Sequence, residues 1–246
     1  MPRIFLPLSE PSGTITITGE KARYLSTVLR CKEGDELIIF DAQGTSYKTT
    51  IKGITKREVL AEVTEAIMSD TESSRTLILI QGLLKGDKME LVIQKTTELG
   101  VKEILPAITE RSQVRDTRKA ARWRKIAEDA SRQCGRTRVP LIHNPIPFAD
   151  IFSHRPNAYT PNIRAGRGLI FWEKGGKKIT DTLDAVTGGD PCVVAIGPEG
   201  GFTSEEVAIA ESGGLRIATL GNRILRAETA AIAATAIIQF LEGDLG

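Results

Sequence analysis

Six short apolar runs recur between residue 77 and residue 221: LILIQ (77–81), EILPAI (103–108), VPLIH (139–143), GLIFWE (168–173), CVVAIG (192–197) and LRIATLG (215–221). They are too short for helices buried all round and carry little alternation, the pattern of strands covered on both faces. Helical stretches separate or follow them. Met89, Val92, Ile93, Thr96 and Leu99 share one helical face, opened by Asp87 and Glu90 as a D-x-x-E capping box and closed by Gly100. A second helix over about 117–134 sets Ala120, Trp123, Ala127, Ala130 and Cys134 on one side and Arg122, Arg124, Lys125 and Arg132 on the other. Further helices are expected near 180–186, 204–212 and 228–241. Strands alternating with helices predict an α/β domain built on a parallel sheet.

The first 70 residues have another rhythm. TITIT (14–18) alternates with period two, and ELIIFD (36–41), SYKTTIKGI (46–54) and REVLAEV (57–63) are strand-like runs punctuated by glycine. KARYLSTVLR (21–30) is the one expected helix. This reads as a small β-barrel of the binding-module kind. The polar stretch SDTESSR (69–75) marks the boundary, giving domains 1–70 and 71–246. The proline-rich connection over 144–168 reads as a long irregular loop.

Several function classes are disfavoured. No apolar run approaches the roughly 20 residues that span a bilayer. MPRIFLPLSE lacks a basic stretch followed by an apolar one, so the expectation is an unprocessed, cytoplasmic protein without a membrane partner. Three widely spaced cysteines, Cys31, Cys134 and Cys192, argue for a reducing compartment. The two histidines, His143 and His154, lie in no metal-ligand pattern, so no metal is expected. Net charge is only +2, but residues 111–138 carry ten Lys/Arg against three acids, a local +7. Such a stripe suits a phosphate-rich partner, with a solvated helix face as the bland alternative.

Two glycine turns are the candidate binding elements. AIGPEGGFTSEE (195–206) has neither the G-x-x-x-x-G-K-[ST] of a P-loop nor the G-x-G-x-x-G of a dinucleotide site. Glu199 at its centre would repel a phosphate. A ligand without phosphate, such as S-adenosylmethionine with its sulfonium and ammonium, tolerates that acid. A tight turn followed by a Thr203/Glu206 capping box explains the same residues without any ligand. LGNRILRAETAAIAATA (220–236) turns through Gly221 into an alanine-rich helix, with Arg223, Arg226 and Glu228 at its start. Both turns belong at the carboxyl edge of a parallel sheet, where ligands bind.

Four blocks, LLKGDKMELVIQKTTELGVKEILP (83–106), RWRKIAEDASRQCGRTRVP (122–140), IGPEGGFTSEE (196–206) and LGNRILRAETAA (220–231), resemble the bacterial ribosomal RNA small subunit methyltransferase E family, uracil-N3 methyltransferases of the SPOUT superfamily. PRIF (2–5), VLR (28–30) and GDEL (34–37) match as well. Ile4 and Tyr24 depart from the family's common aromatic and histidine.

The resemblance implies an N-terminal PUA-like β-barrel, a C-terminal SPOUT domain with a deep trefoil knot, and a homodimer. It implies S-adenosylmethionine held by Glu173, by Ile196, Gly197, Pro198, Glu199, Gly200 and Gly201, and by Leu220, Gly221, Ile224, Leu225 and Arg226. The implied substrate is a uridine in 16S ribosomal RNA of the 30S subunit, methylated at N3. Arg226 is then the first candidate for stabilising charge on the uracil, a salt bridge with Glu228 being its alternative. Arg3 reaches the RNA, and Glu228 or Glu199 is a candidate proton acceptor. Arg3, Arg23, Arg30, Arg122, Arg124, Arg132, Arg136 and Arg138 are the expected RNA contacts. Competing readings are a superfamily methyltransferase acting on transfer RNA and a non-catalytic RNA-binding assembly factor.

Overall fold

The computed structural model describes residues 1–8, 13–41, 43–67, 71–114, 117–153, 167–187 and 191–245. Most of the expected 144–168 loop, with His154, falls on 154–166 and lies outside the described residues. So do Ser69 and Asp70 of the boundary stretch and Asp116 of the basic segment. The chain forms two compact units, one of residues 1–72 with 131–139 and one of residues 73–130 with 140–246.

The first unit is a five-stranded sheet in the order β1-β3-β4-β5-β2. Its strands are β1 (Arg3–Phe5), β2 (Thr14–Thr18), β3 (Glu36–Phe40), β4 (Ser46–Ile54) and β5 (Glu58–Ile67). Alternation decides which side is wet: Ile15 and Ile17 of β2 point inward and its threonines outward. Ile4, Leu25, Leu37, Ile39, Ile51 and Val59 complete this core. Ile4 thus fills a core position. The expected 21–30 helix is α1 (Gly19–Arg23) running into a π-helical turn over Tyr24–Val28.

The second unit is an all-parallel sheet, β11-β13-β10-β12-β6-β7-β8, with β9 also pairing β7. The strands are β6 (Leu77–Gly82), β7 (Glu103–Ile108), β8 (Leu141–Ile142), β9 (Ile146–Pro147), β10 (Gly168–Phe171), β11 (Lys177–Lys178), β12 (Cys192–Ile196) and β13 (Arg216–Thr219). Every residue of β6, β10 and β12 is buried. This is what continuous apolar runs produce when helices cover both faces. Those helices are α2 (Lys88–Glu98), α3 (Ala120–Cys134), α4 (Phe148–Ile151), α5 (Leu183–Val186), α6 (Ser204–Ser212) and α7 (Ala227–Leu241). On α3, Trp123, Ala127 and Ala130 are buried as the spacing predicts, whereas Cys134 is exposed. No helix among the described residues is long and apolar enough to cross a membrane.

Of the two expected capping boxes, one forms. The Thr203 hydroxyl accepts from the Glu206 amide at 3.2 Å, and Glu206 Oε2 accepts from the Thr203 amide at 3.0 Å. Asp87 makes no cap bond, and its side chain is 87 % exposed. Its partner Glu90 is drawn off to Arg122 at 2.7 Å. A full charge–charge partner competes better for a carboxylate than a single amide does. Thr203→Ala is therefore expected to cost about 1 kcal/mol, a fall of about 2–4 °C in Tm. Asp87→Ala should stay within about 0.5 kcal/mol. Thermal unfolding of the two variants checks the contrast.

Candidate cofactor cavity

In the second unit, a cavity of about 670 Å³ opens beyond the carboxyl ends of the adjacent strands β13, β10 and β12. That volume suits a small-molecule ligand. All twelve residues expected to hold a cofactor line it: Glu173, 196–201, Leu220, Gly221 and 224–226. Glu228 lines it as well. Lys88, Trp172, Asn222 and Arg223 were not among those expectations, yet they line the cavity. Lys88 left a readable signal: a cation in the first turn of a helix opposes the helix dipole, so such a lysine has another use.

Backbone proximity shapes the first wall. A Cβ on Gly82, at the end of β6, would lie 2.5 Å from the Pro198 nitrogen, so only glycine lets the 197–201 turn seat against the sheet. Gly201 has φ +67°, and a Cβ there would lie 2.6 Å from Glu173 Oε1. Buried Gln81 donates from Nε2 to the Gly197 carbonyl at 3.3 Å. The Gly201 amide closes the turn on the Pro198 carbonyl at 2.9 Å. Arg111 donates to the carbonyls of Gly200 and Phe202, at 3.0 and 3.3 Å. Glu206 Oε1 takes the Glu110 amide at 2.8 Å. The turn is held at every corner.

Glu199 has a structural employment. Its Oε1 accepts from the Lys85 amide at 3.2 Å and from Lys88 Nζ at 3.1 Å, tying the turn to the start of α2. Partial burial opposes its ionisation. Its own amide, the Lys85 amide and the Lys88 ammonium outweigh that and hold the carboxyl below the usual glutamate range.

The second wall is the 220–226 turn and the start of α7. Arg226 is exposed and makes no ion pair among the described residues, so the expected alternative of a salt bridge to Glu228 is not formed. Ile224 is 84 % exposed. Glu228 is buried, 9 % exposed, and its Oε2 has no hydrogen-bond partner among the described residues. Lys88 Nζ stands 4.0 Å from that oxygen. The cavity thus mixes three carboxylates, Glu173, Glu199 and Glu228, with the cations of Lys88, Arg223 and Arg226. A ligand carrying both signs of charge fits such a lining better than a polyphosphate.

The expected RNA contacts divide between the units. Arg122 and Arg124 lie in the second, bonded to Glu90 and to Ile142 O and Asn144 Oδ1. Six lie in the first. Arg23 and Arg30 are exposed there, Arg30 at φ +54°. Arg138 is also exposed, donating to Gln43 O. Arg3 donates to Arg136 O at 3.1 Å and lies over the Phe40 ring. Arg132 stacks on Tyr24 and bonds its hydroxyl. Arg136 is 4 % exposed and paired with Glu72 at 2.7 Å. Among the described residues no group of three or more His, Cys, Asp or Glu is arranged for a metal ion.

Residues 71–239 match an RNA methyltransferase domain, and residues 17–64 match an RNA methyltransferase PUA domain. The ribosomal RNA small subunit methyltransferase E of Bacillus subtilis is 32 % identical over 264 residues, covering 99 % of this chain and 100 % of that protein. The crystal structure of the same-named enzyme of Neisseria gonorrhoeae, bound to S-adenosylmethionine, superposes with a TM-score of 0.88 at 33 % identity and 98 % coverage of both chains. A putative methyltransferase of Legionella pneumophila, with S-adenosylmethionine bound, gives a TM-score of 0.86 at 31 % identity, covering 97 % of this chain and 96 % of that one. With a matching family across most of its length, and a glycine-walled cavity at the carboxyl edge of its parallel sheet, the chain belongs to the RNA methyltransferase family that includes the small subunit methyltransferases E.

Proposed function

We propose that this protein transfers a methyl group from S-adenosylmethionine to N3 of a uridine in 16S ribosomal RNA. The observation that carries the reading is the cavity itself. Both glycine turns and the buried end of α7 converge there, with a charge pattern that suits a zwitterionic sulfonium compound. When bound, S-adenosylmethionine supplies an electrophilic methyl group. The 197–201 and 220–226 turns, with Glu173, are assigned to hold it. The relatives' names and their bound ligand support this assignment.

The protein's own residues supply the rest. N3 lies on the Watson–Crick edge, so the uridine must be unpaired or flipped out to reach the cavity. Loss of the N3 proton leaves negative charge on the uracil oxygens. Arg226, exposed in the cavity lining and without an ion pair among the described residues, is assigned to stabilise that charge. Glu228 is assigned to take the proton. Glu199 is occupied by the Lys85 amide and Lys88, so it serves the turn.

Residues 1–70 are proposed as the RNA-binding domain and 71–246 as the catalytic one. Arg23, Arg30, Arg122, Arg124 and Arg138 are proposed as phosphate contacts. Arg132, Arg136 and Arg3 are held inside the first unit and are proposed to support that surface, Arg3 with a reach to RNA. The chain passes from β12 across β10 to β13, and α7 then returns to pack on β12 and α2. That return supports a knotted path. From Thr229 to Leu241 the helix carries no charge, and Ile237 and Phe240 remain exposed. This supports a homodimer closed over α7. The assembled protein is proposed to act in the cytoplasm on the 30S subunit.

Labelled S-adenosylmethionine, offered with 30S subunits, naked ribosomal RNA and transfer RNA, tests the function. Label in 16S RNA with a primer-extension stop at one uridine is expected. Label confined to transfer RNA would reassign the substrate, and no label would remove the activity. Arg226→Ala should slow transfer about 100-fold or more, the scale of a lost charge-stabilising donor, with RNA affinity changed far less. Equal losses would make Arg226 a phosphate contact.

Glu199 gives a pH prediction. Its carboxyl is depressed on folding, so its contribution is complete above the unfolded value of about 4.3 and is lost as pH falls through the lower folded value. The Tm gap between wild type and Glu199→Gln should be constant from about pH 6 to 8 and should close below about pH 4. A gap that widens on acidification would refute the tie.

A further inference from the structure

We infer that Lys88 is a positioning residue. Anchored by Glu199, it sets a positive charge beside the buried Glu228 carboxylate while leaving Glu228 Oε2 open to accept the proton of the substrate nitrogen. The inference rests on the methyl-transfer reading above.

Two distances and one unpartnered oxygen carry it. Lys88 Nζ is hydrogen-bonded to Glu199 Oε1 at 3.1 Å. The same nitrogen is 4.0 Å from Glu228 Oε2. That is too long for a hydrogen bond but short for a Coulomb attraction. Glu228 Oε2 is buried, bonded to no described residue, and belongs to a side chain that lines the cavity. A buried carboxylate without a counter-charge is costly, and an unpaired carboxylate oxygen is costlier still. If stability alone governed the pair, closing the last ångström would give Lys88 a second partner. An ammonium has three donors and could bond both acids. The Glu199 bond holds it short of that.

The consequence is chemical. A lysine bonded directly to Oε2 would compete with the substrate N–H for that oxygen and make it a poorer proton acceptor. At 4.0 Å it offsets the charge and leaves the site free. In the transfer step the N3 proton passes to Glu228 Oε2, the N3 electron pair forms the bond to the methyl carbon, and the pair of the broken carbon–sulfur bond stays on sulfur. One positive and one negative charge disappear together. The neutral acid formed on Glu228 then returns its proton to solvent.

A double-mutant cycle tests this in two readouts. In the cofactor-free protein, Lys88→Met should lower Tm by about 2–4 °C and by less in a Glu228→Gln background, where only the tie to Glu199 is still lost. In single turnover at saturating cofactor and RNA, Glu228→Gln should slow transfer about 100-fold or more and Lys88→Met at least about 10-fold. The double variant should be no slower than Glu228→Gln, and Lys88→Arg should recover most of the rate. Additive losses in both readouts, or a Lys88→Met defect confined to cofactor affinity, would overturn the inference while leaving the methyltransferase reading intact. A wild-type protein that labels no RNA would overturn both.

Discussion

The side-by-side, parallel pairing of β10, β12 and β6 is the constraint on which the cavity depends. Phe171 pairs with Ile196, and Ile196 with Gln81, so three strand ends stop at one level. Every turn that follows must start from that edge. Burial on both faces fixes the sheet, because no strand can slip its register without moving apolar side chains toward water. The edge also forces backbones together. Gly82 lies against Pro198 so closely that any side chain would push the turn away. The cavity is thus a product of the sheet's registry, and the glycines are where that registry leaves no room.

Electrostatics then divides the labour among the acids. Glu206 is spent on amides, joining the start of α6 to the end of β7 through Glu110. Glu199 is spent on the Lys85 amide and Lys88. Glu173 lies against the Gly201 backbone in the cavity lining. Of these four acids, Glu228 alone is both buried and unspent at one oxygen. The same residue type therefore serves as cap, tether, wall and acceptor, according to which donors the fold brings within reach.

Legibility in the sequence followed the range of the interactions. The strands of both units were readable because their patterns are local: TITIT alternates, and CVVAI does not. The two glycine turns could be placed at the sheet's carboxyl edge because turns there have a geometric reason to exist, whereas a cofactor for them came from the family resemblance. The failures are long-range. Asp87 and Glu90 spell a capping box, but Arg122, 32 residues away, takes the glutamate. The 111–138 stripe looked continuous, yet Arg136 folds inward onto Glu72, 64 residues away. Net charge along a segment counts cations without knowing which have already found partners.

Lys88 shows what such a miss conceals. In the sequence it is one lysine among several at a helix start, and its position against the dipole is a faint signal. In the structure it stands between two carboxylates from separate elements, bonded to one and withheld from the other. A fold optimised for stability alone would satisfy Glu228 Oε2 or replace it, since a half-paired buried acid is worse than an apolar side chain. Retaining it in the lining of a ligand cavity makes sense when the missing partner is supplied by the substrate. The cost of the unsatisfied oxygen in the free protein is then the driving force for binding the N–H that satisfies it, and the Glu199 tether is what keeps Lys88 from filling the place first.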